Sequence, residues 1–481
     1  MKLTSRPHFS VAGCIASFVV FVGAISYGQG HKPNLLLREV TVIDATGAPP
    51  RENVDVLIRD ERIEKIAPHL QPPPGAQLIQ ARGRFLIPGL WDMHVHIWDA
   101  DLAFPLFLAN GVTGVRNTGG RPDDLRRWRE ELREDRRLGP RLIACGPVVD
   151  GAPPIHPDHS VVVENATHGS LAVDNLKSQG WDFIKVYDNV PGDTYFAVAA
   201  EAKKVGIPFV GHVPLSVTAI EASDAGQKSI EHLDGLDYVI SPVGDRLRRD
   251  RLDRIGRPPQ PGDMMKVPLR IANEINQLAD TYDEKRAADL CARLVRNDTW
   301  QVPTLSVARV YASIGSTVLY QDERLKYVDR PERDAWDHNP IVHLDIPEYV
   351  AARKRAFQLA MRIARAAHRE GVPFLAGTDS GGVPYLYYGF SLHDELALLV
   401  EAGFTPLQAL QAATLDPARF LGFPDSGTIE VGKRADLVLL TADPLADIHN
   451  TRRIEAVILK GRFHDQRELD ALLNAAANRV K

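Results

Sequence analysis

Residues 90–96 read Leu90-Trp91-Asp92-Met93-His94-Val95-His96. The run is apolar, as a strand covered on both faces would be, and it closes on two histidines at i and i+2, whose Cβ atoms share one face of a strand. Seven further short apolar segments follow at fairly regular intervals, at 112–117, 141–146, 183–187, 209–213, 229–233, 301–306 and 373–379, and most lead into a helical pattern. Eight such segments alternating with helices specify an α/β fold, a (β/α)8 TIM barrel. Longer polar stretches at 241–266 and 314–347 follow the sixth and seventh segments, where the loops that shape a barrel's pocket lie.

Outward from this core both ends of the chain are β-rich. Strands are expected at 35–43, 54–59 and 63–66, and again at 428–430, 436–440 and 453–459. Neither set suffices to close a core alone. The two ends are therefore expected to meet in one composite β-sandwich (33–86 plus 423–465) beside the barrel (87–422).

The composition narrows the function classes. Of 481 residues, 44% are hydrophobic and 25% charged, which excludes a disordered, collagenous or multi-span membrane chain. The net charge of −5 is spread along the sequence, so no basic surface for nucleic acid or anionic lipid is implied. At the start, Lys2, Arg6 and His8 precede an uncharged, mostly apolar run at 11–25, and Ser26 and Gly28 occupy a −3/−1 cleavage pattern. This reads as a bacterial-type signal peptide over 1–28, with an exported chain, periplasmic or secreted, that keeps no stable membrane association after cleavage. Cys145 and Cys291 lie far apart in apolar stretches, and there is no CxxC, so neither a disulfide framework nor a thiolate zinc cluster is expected.

Any metal must then be held by imidazole or carboxylate, and the segment ends supply both. His212, His232 and Asp379 fall at or near the ends of their segments, as His94 and His96 do in the first. Lys185 is the sixth candidate, inside Phe183-Ile184-Lys185-Val186-Tyr187, where an unpaired ammonium is costly. Either it pairs with a barrel carboxylate, or its amine has reacted with carbon dioxide to form a carbamate, whose two oxygens bridge two cations as a carboxylate would. Four histidines and an aspartate alongside favour the carbamate.

At this point the sequence resembles the amidohydrolase superfamily, in particular its imidazolonepropionase-like and prolidase-like members. The resemblance rests on Pro88-Gly89 with the run 90–96, on Ser391-Leu392-His393-Asp394-Glu395-Leu396, and on the phrase at 427–438, Gly-Thr-Ile-Glu-Val-Gly-Lys-Arg-Ala-Asp-Leu-Val. It implies a barrel carrying a split β-sandwich and two metals, usually zinc. His94, His96 and Asp379 would hold the more buried metal and His212 and His232 the other, with carboxylated Lys185 and a hydroxide bridging them. In such a centre the cations lower the pKa of bound water and polarise a scissile carbonyl, and Asp379 passes a proton from the hydroxide to the leaving amine.

The expected function is thus binuclear, metal-dependent hydrolysis of amide C–N bonds, in dipeptides or N-acyl amino acids, by a homo-oligomer. Deaminases of the superfamily tend to carry a Glu three residues after the histidine of strand five, where this chain has Leu215. Phosphotriesterase-like hydrolases and lactonases lack the sandwich. Cyclic amidases resembling hydantoinases share both features and stay open, and a non-catalytic, metal-binding homologue would be expected to lose ligands that are all present here. For the substrate, Tyr187 shares a strand face with Lys185, and His156 sits in a loop able to cover a pocket. Arg116 reads as an ion pair within the barrel, His393 as structural, and the arginines at 121–137 as a solvated helix face.

Overall fold

The computed structural model describes residues 34–254, 266–337 and 346–481. The expected signal peptide lies outside the described residues, as do parts of the two polar stretches. The described parts of those stretches carry helices at Gly244–Leu252, Thr317–Tyr320 and Arg330–Asp337 and a 3-10 turn at Glu323–Tyr327. Among the described residues no helix is long and apolar enough to cross a membrane.

The first strands are β1 (Leu35–Val42), β2 (Arg51–Arg59), β3 (Arg62–Ala67), β4 (Gln77–Gln80) and β5 (Phe85–Pro88). They are followed by β6 (Leu90–Val95), β7 (Val112–Asn117), β8 (Arg141–Ala144), β9 (Val148–Asp150) and β10 (Ser160–Val162). Next come β11 (Ile184–Val186), β12 (Phe209–Gly211), β13 (Ser229–Glu231) and β14 (Trp300–Val302), and last β15 (Leu437–Leu440), β16 (Ile454–Leu459) and β17 (Arg462–Asp465).

The two ends of the chain join in one eight-stranded sheet of order β17-β16-β15-β5-β1-β2-β3, with β4 beside β1. Its seam is the antiparallel pair β15–β5, running from Leu437 opposite Pro88 to Leu440 opposite Phe85. The period-2 alternation of a strand explains why Leu437-Val438-Leu439-Leu440 is apolar throughout. Leu437 and Leu439 join the core of the terminal sheet with Leu35, Val56 and Ile458, while Val438 and Leu440 join the larger core that also holds Val112 and Phe107. The strand expected at 428–430 is absent. There the chain turns between Gly427 (φ +84°) and Gly432 (φ +89°), and the backbone N–H of Lys433 bonds to the Glu430 carbonyl, although Ile429 is still buried.

The middle of the chain is a TIM-barrel-like α/β fold. Strands β6-β7-β8 form one parallel sheet and β10-β9-β11-β12-β13-β14 another. The Asp182 N–H donates to Ala144 O at 3.1 Å beside β8, and segment 373–380 makes parallel bridges to β14 at Gln301 and to β6 at Val95. That segment, expected as a regular eighth strand, is irregular. The N–H groups of Thr378 and Asp379 both donate to His94 O, at 3.2 and 2.7 Å, which leaves two residues opposing one in the manner of a bulge. The expected segments at 209–213, 229–233 and 301–306 shorten to three-residue strands, and Leu305 and Ser306 already belong to helix Leu305–Ala312.

Helices pad these strands by their apolar stripes. Helix Pro122–Arg133 starts with proline in its first turn, buries Leu125, Trp128 and Leu132, and turns its arginines outward, where Arg126 and Arg127 pair with Asp123 and Asp124 three residues earlier. Cys145 and Cys291 are buried free thiols.

Candidate metal centre

His94 lies near the end of β6, His96, His212 and His232 just beyond β6, β12 and β13, Lys185 inside β11, and Asp379 in the irregular segment 373–380. His94 and Lys185 are fully buried, His96 and Asp379 nearly so, and His212 and His232 half-buried. The rings form a chain of contacts, with centroids 5.5 Å apart for His94 and His96, 4.7 Å for His94 and His232, and 4.9 Å for His212 and His232. Ligand atoms of His94, His96 and Asp379 lie within 4.8 Å of one another. Those of His212 do so with Asp188 and Asp234, two carboxylates that the sequence did not single out.

Every one of the four imidazoles is held by its Nδ1. The partners are Glu231 Oε2 for His94 (2.7 Å), Gly119 O for His96 (3.0 Å), Asp188 Oδ1 for His212 (2.6 Å) and Thr304 Oγ1 for His232 (2.7 Å). In His94, His96 and His212 the partner oxygen can only accept, which puts the proton on Nδ1 and leaves the lone pair on Nε2, the usual support of a metal-binding histidine, whereas the Thr304 hydroxyl can serve His232 either way. His94 Nε2 is buried with no hydrogen-bond partner, 3.5 Å from Asp379 Oδ1, and His96 Nε2 lies 3.2 Å from the same oxygen. Burial and the charge of Lys185 hold the His94 ring well below its ordinary pKa, and burial brings His232 down to about 3 against the pull of Asp379. Both rings are therefore neutral. Burial alone would raise Asp379, but the side chains of His96, His94 and His232 around it keep its carboxyl well below the usual range.

The surroundings of Lys185 bear on the two readings of its position. Its Nζ is buried and has no hydrogen-bond partner, and no carboxylate among the described residues pairs with it. The carboxylate that could have done so, Glu231, is already occupied. Arg116 Nη2 reaches both its oxygens at 2.9 Å, Ser229 Oγ donates at 2.6 Å, and His94 takes the remaining contact. The expected ion pair of Arg116 thus exists, fully buried, and burial lowers the Lys185 pKa against the opposing pull of Glu231 and Asp379. A buried amine without a partner, in the same site as the unpartnered Nε2 of His94, fits a carbamate and divalent cations.

The predicted substrate residues lie on one wall. Tyr187 Oη and His156 Nε2 are 3.0 Å apart, and the Tyr187 ring stacks on His212 at 4.2 Å. From His156 the wall continues through His159 (4.9 Å) and Trp98 (5.1 Å further) back to His96, so it spans from one candidate metal group to the other. His159 and Trp98 escaped the sequence reading because an aromatic after a strand has no distinguishing pattern. His393, expected to be structural, is buried between Thr451 Oγ1 and Asn110 O.

The backbone at the site is strained where ligands are aimed. His232, Leu233, Thr304 and Asp379 have φ between +43° and +62°, a region that side-chain-bearing residues rarely adopt. Close packing fixes the same region. A Cβ on Gly377 would lie 2.9 Å from His94 N and 2.5 Å from Val302 Cγ1. Gly377→Ala should therefore cost about 1–3 kcal/mol, read as a lower denaturant midpoint, and an unchanged midpoint would contradict this packing.

Residues 318–463 match the model of the amidohydrolase family. The fold is similar to that of bottromycin amidohydrolase, at 27% identity and a TM-score of 0.73 over 92% of this chain and 90% of that one. It is also similar to a Xaa-Pro dipeptidase crystallised with methionine in its active site, at 19% identity and a TM-score of 0.64 over 90% and 100%. A dihydroorotase of Pelotomaculum thermopropionicum is 23% identical over 85% of this chain and 89% of its own. Against curated relatives at 34% and 38% identity the match spans only 30% and 16% of their length. By family match over its C-terminal third and by fold over most of its length, the chain is similar to members of the amidohydrolase superfamily.

Proposed function

We propose that the chain is a binuclear metal-dependent hydrolase of amide C–N bonds, acting on dipeptides or N-acyl amino acids. The observation that carries this reading is the buried Lys185 amine, without a partner, among four imidazoles each anchored by Nδ1. His94, His96 and Asp379 would hold one zinc ion and His212 and His232 the other, with Lys185 bridging as its carbamate. Forming that carbamate joins Nζ to the carbon of carbon dioxide and releases one proton. When bound, the cations would supply Lewis acidity, lowering the pKa of water and polarising the scissile carbonyl.

The chain's own residues do the rest. Asp379, ionised, takes a proton from the attacking water and returns it to the leaving amine. Burial keeps the Tyr187 hydroxyl protonated, so it can donate to the oxygen on which charge develops, with His156 holding it in place. In the same reading residues 87–422 close as a (β/α)8 barrel beside a split sandwich, and the chain is exported after loss of residues 1–28.

The test is a screen of zinc-loaded protein against N-acyl amino acids, Xaa-Pro and Xaa-Arg dipeptides, hydantoins and lactones. Amides whose amine side is an amino acid with a free carboxylate should turn over, and esterifying that carboxylate should lower kcat/KM by about 10- to 1,000-fold. Equal rates on acid and methyl ester would remove the carboxylate requirement. Turnover confined to hydantoin-like rings would establish instead the cyclic amidase reading, which the joined terminal sheet keeps second.

A further inference from the structure

A cavity of about 220 Å³ opens beside the centre, with His232 and Thr304 on its lining. Beyond them the wall is helix surface, apolar at Leu278, Val307, Leu359 and Ile363. The volume is below the roughly 300–1,000 Å³ of pockets that take a whole drug-sized ligand, which suits a single amino-acid residue.

Arg353 is the one arginine or lysine on this lining. Its guanidinium is held from several sides. Nε donates to Tyr349 Oη at 2.8 Å, and the group lies 4.8 Å from the Tyr349 ring centroid and 5.0 Å from that of Tyr311, which also lines the cavity. Its helix neighbours Arg355 and Arg362 pair with Asp280 and Glu284, but among the described residues no carboxylate pairs with Arg353. A planar, oriented guanidinium with its Nη groups unengaged, at the edge of an apolar cavity, is suited to bidentate binding of a carboxylate.

We propose that this cavity is the specificity pocket for the amine-side residue of the substrate, an apolar amino acid whose side chain packs on Leu278, Val307, Leu359 and Ile363 and whose free carboxylate is bound by Arg353. The assignment rests on the hydrolase reading above for what is cleaved, not for what is bound. The only acid on the lining is Asp237, whose carboxyl burial pushes up to about 7, so near neutrality it is partly uncharged and repels the ligand carboxylate less. A charged side chain would be desolvated among the apolar residues without a partner, so leucine or phenylalanine is preferred over aspartate.

The experiment compares leucine with leucinamide, by calorimetric binding to the zinc-loaded full chain, and glycyl-leucine with its C-terminal amide, by hydrolysis. In the wild type leucine should bind about 10- to 100-fold more tightly than leucinamide. Arg353→Gln should remove that preference while leaving leucinamide binding within about twofold, and Arg353→Lys should restore part of it. A merely structural role would weaken both ligands together. Equal binding of the two ligands by wild type, or a preference that survives in Arg353→Gln, overturns the assignment. If glycyl-leucine is cleaved with the same acid-to-amide ratio in wild type and Arg353→Gln, the pocket assignment fails and the hydrolase reading stands. If the preference in binding depends on Arg353 but no amide is cleaved, the pocket stands and the hydrolase reading fails.

Discussion

Lys185→Ala is expected to reduce kcat/KM at least about 1,000-fold, the loss of roughly 4 kcal/mol of transition-state stabilisation, while leaving the fold intact. The side chain is fully buried and its amine makes no hydrogen bond, so its removal breaks no ion pair and leaves no partner stranded. Stability then changes by two opposing terms, a cavity that costs and a desolvated amine that no longer has to be accommodated. Activity has no such compensation, because the proposed bridge between the two groups of imidazoles is gone. Short carboxylic acids such as acetate, supplied with zinc, should restore part of the rate, since the missing bridge is chemically a carboxylate. Wild-type turnover in Lys185→Ala would show that the lysine serves only the packing of the barrel.

Glu231→Ala should produce the largest loss of stability at the site, about 3–5 kcal/mol in urea unfolding of metal-free protein. Both members of the Arg116–Glu231 pair are fully inaccessible, and removing the acid strands a guanidinium whose other contacts, Met93 O at 2.6 Å and Ser229 Oγ at 3.1 Å, are neutral. Burial opposes the charge on Glu231, but Arg116 and Lys185 prevail and hold its pKa below the ordinary 4.5. A depressed folded pKa means a stabilising contribution present above the unfolded value and lost as pH falls through the folded one. The gap between wild type and variant should therefore be full at neutral pH and close in acid below about pH 4. The variant that folds should also bind zinc about 10- to 100-fold more weakly, because His94 loses the partner on its Nδ1. A loss under about 1 kcal/mol at neutral pH would contradict this account of the network.

What the sequence made legible follows from what is local. Two histidines two apart on an apolar strand, a lysine inside another, and His212 and His232 just beyond two more were each readable within a few residues, and the structure brings the six side chains to one region. Arg116 was readable as half of an ion pair because an arginine buried in a barrel strand must have a partner. The partner was not, because Glu231 lies 115 residues away, although asking what neutralises Arg116 would have led to the acid beside His232. Asp188 and Asp234 follow strands β11 and β13 as ordinary turn-forming residues and reveal themselves only by facing His212 and Val213. Arg353 was hidden in the run Arg353-Lys354-Arg355, which reads as a solvated helix face until the helix is placed against the cavity. The eighth segment misled in detail because two of its N–H groups share one carbonyl, and the strand expected at 428–430 because burial of Ile429 does not require a strand partner.

The most direct measurement of the central claim is the metal content of the purified, fully active chain, determined together with activity during removal of metal by a chelator. Six candidate ligands, one of them bridging, are more than one tetrahedral ion uses, so close to two divalent cations per chain are expected, with activity lost on chelation and regained on return of zinc. One equivalent or none in protein at full activity would contradict the binuclear centre.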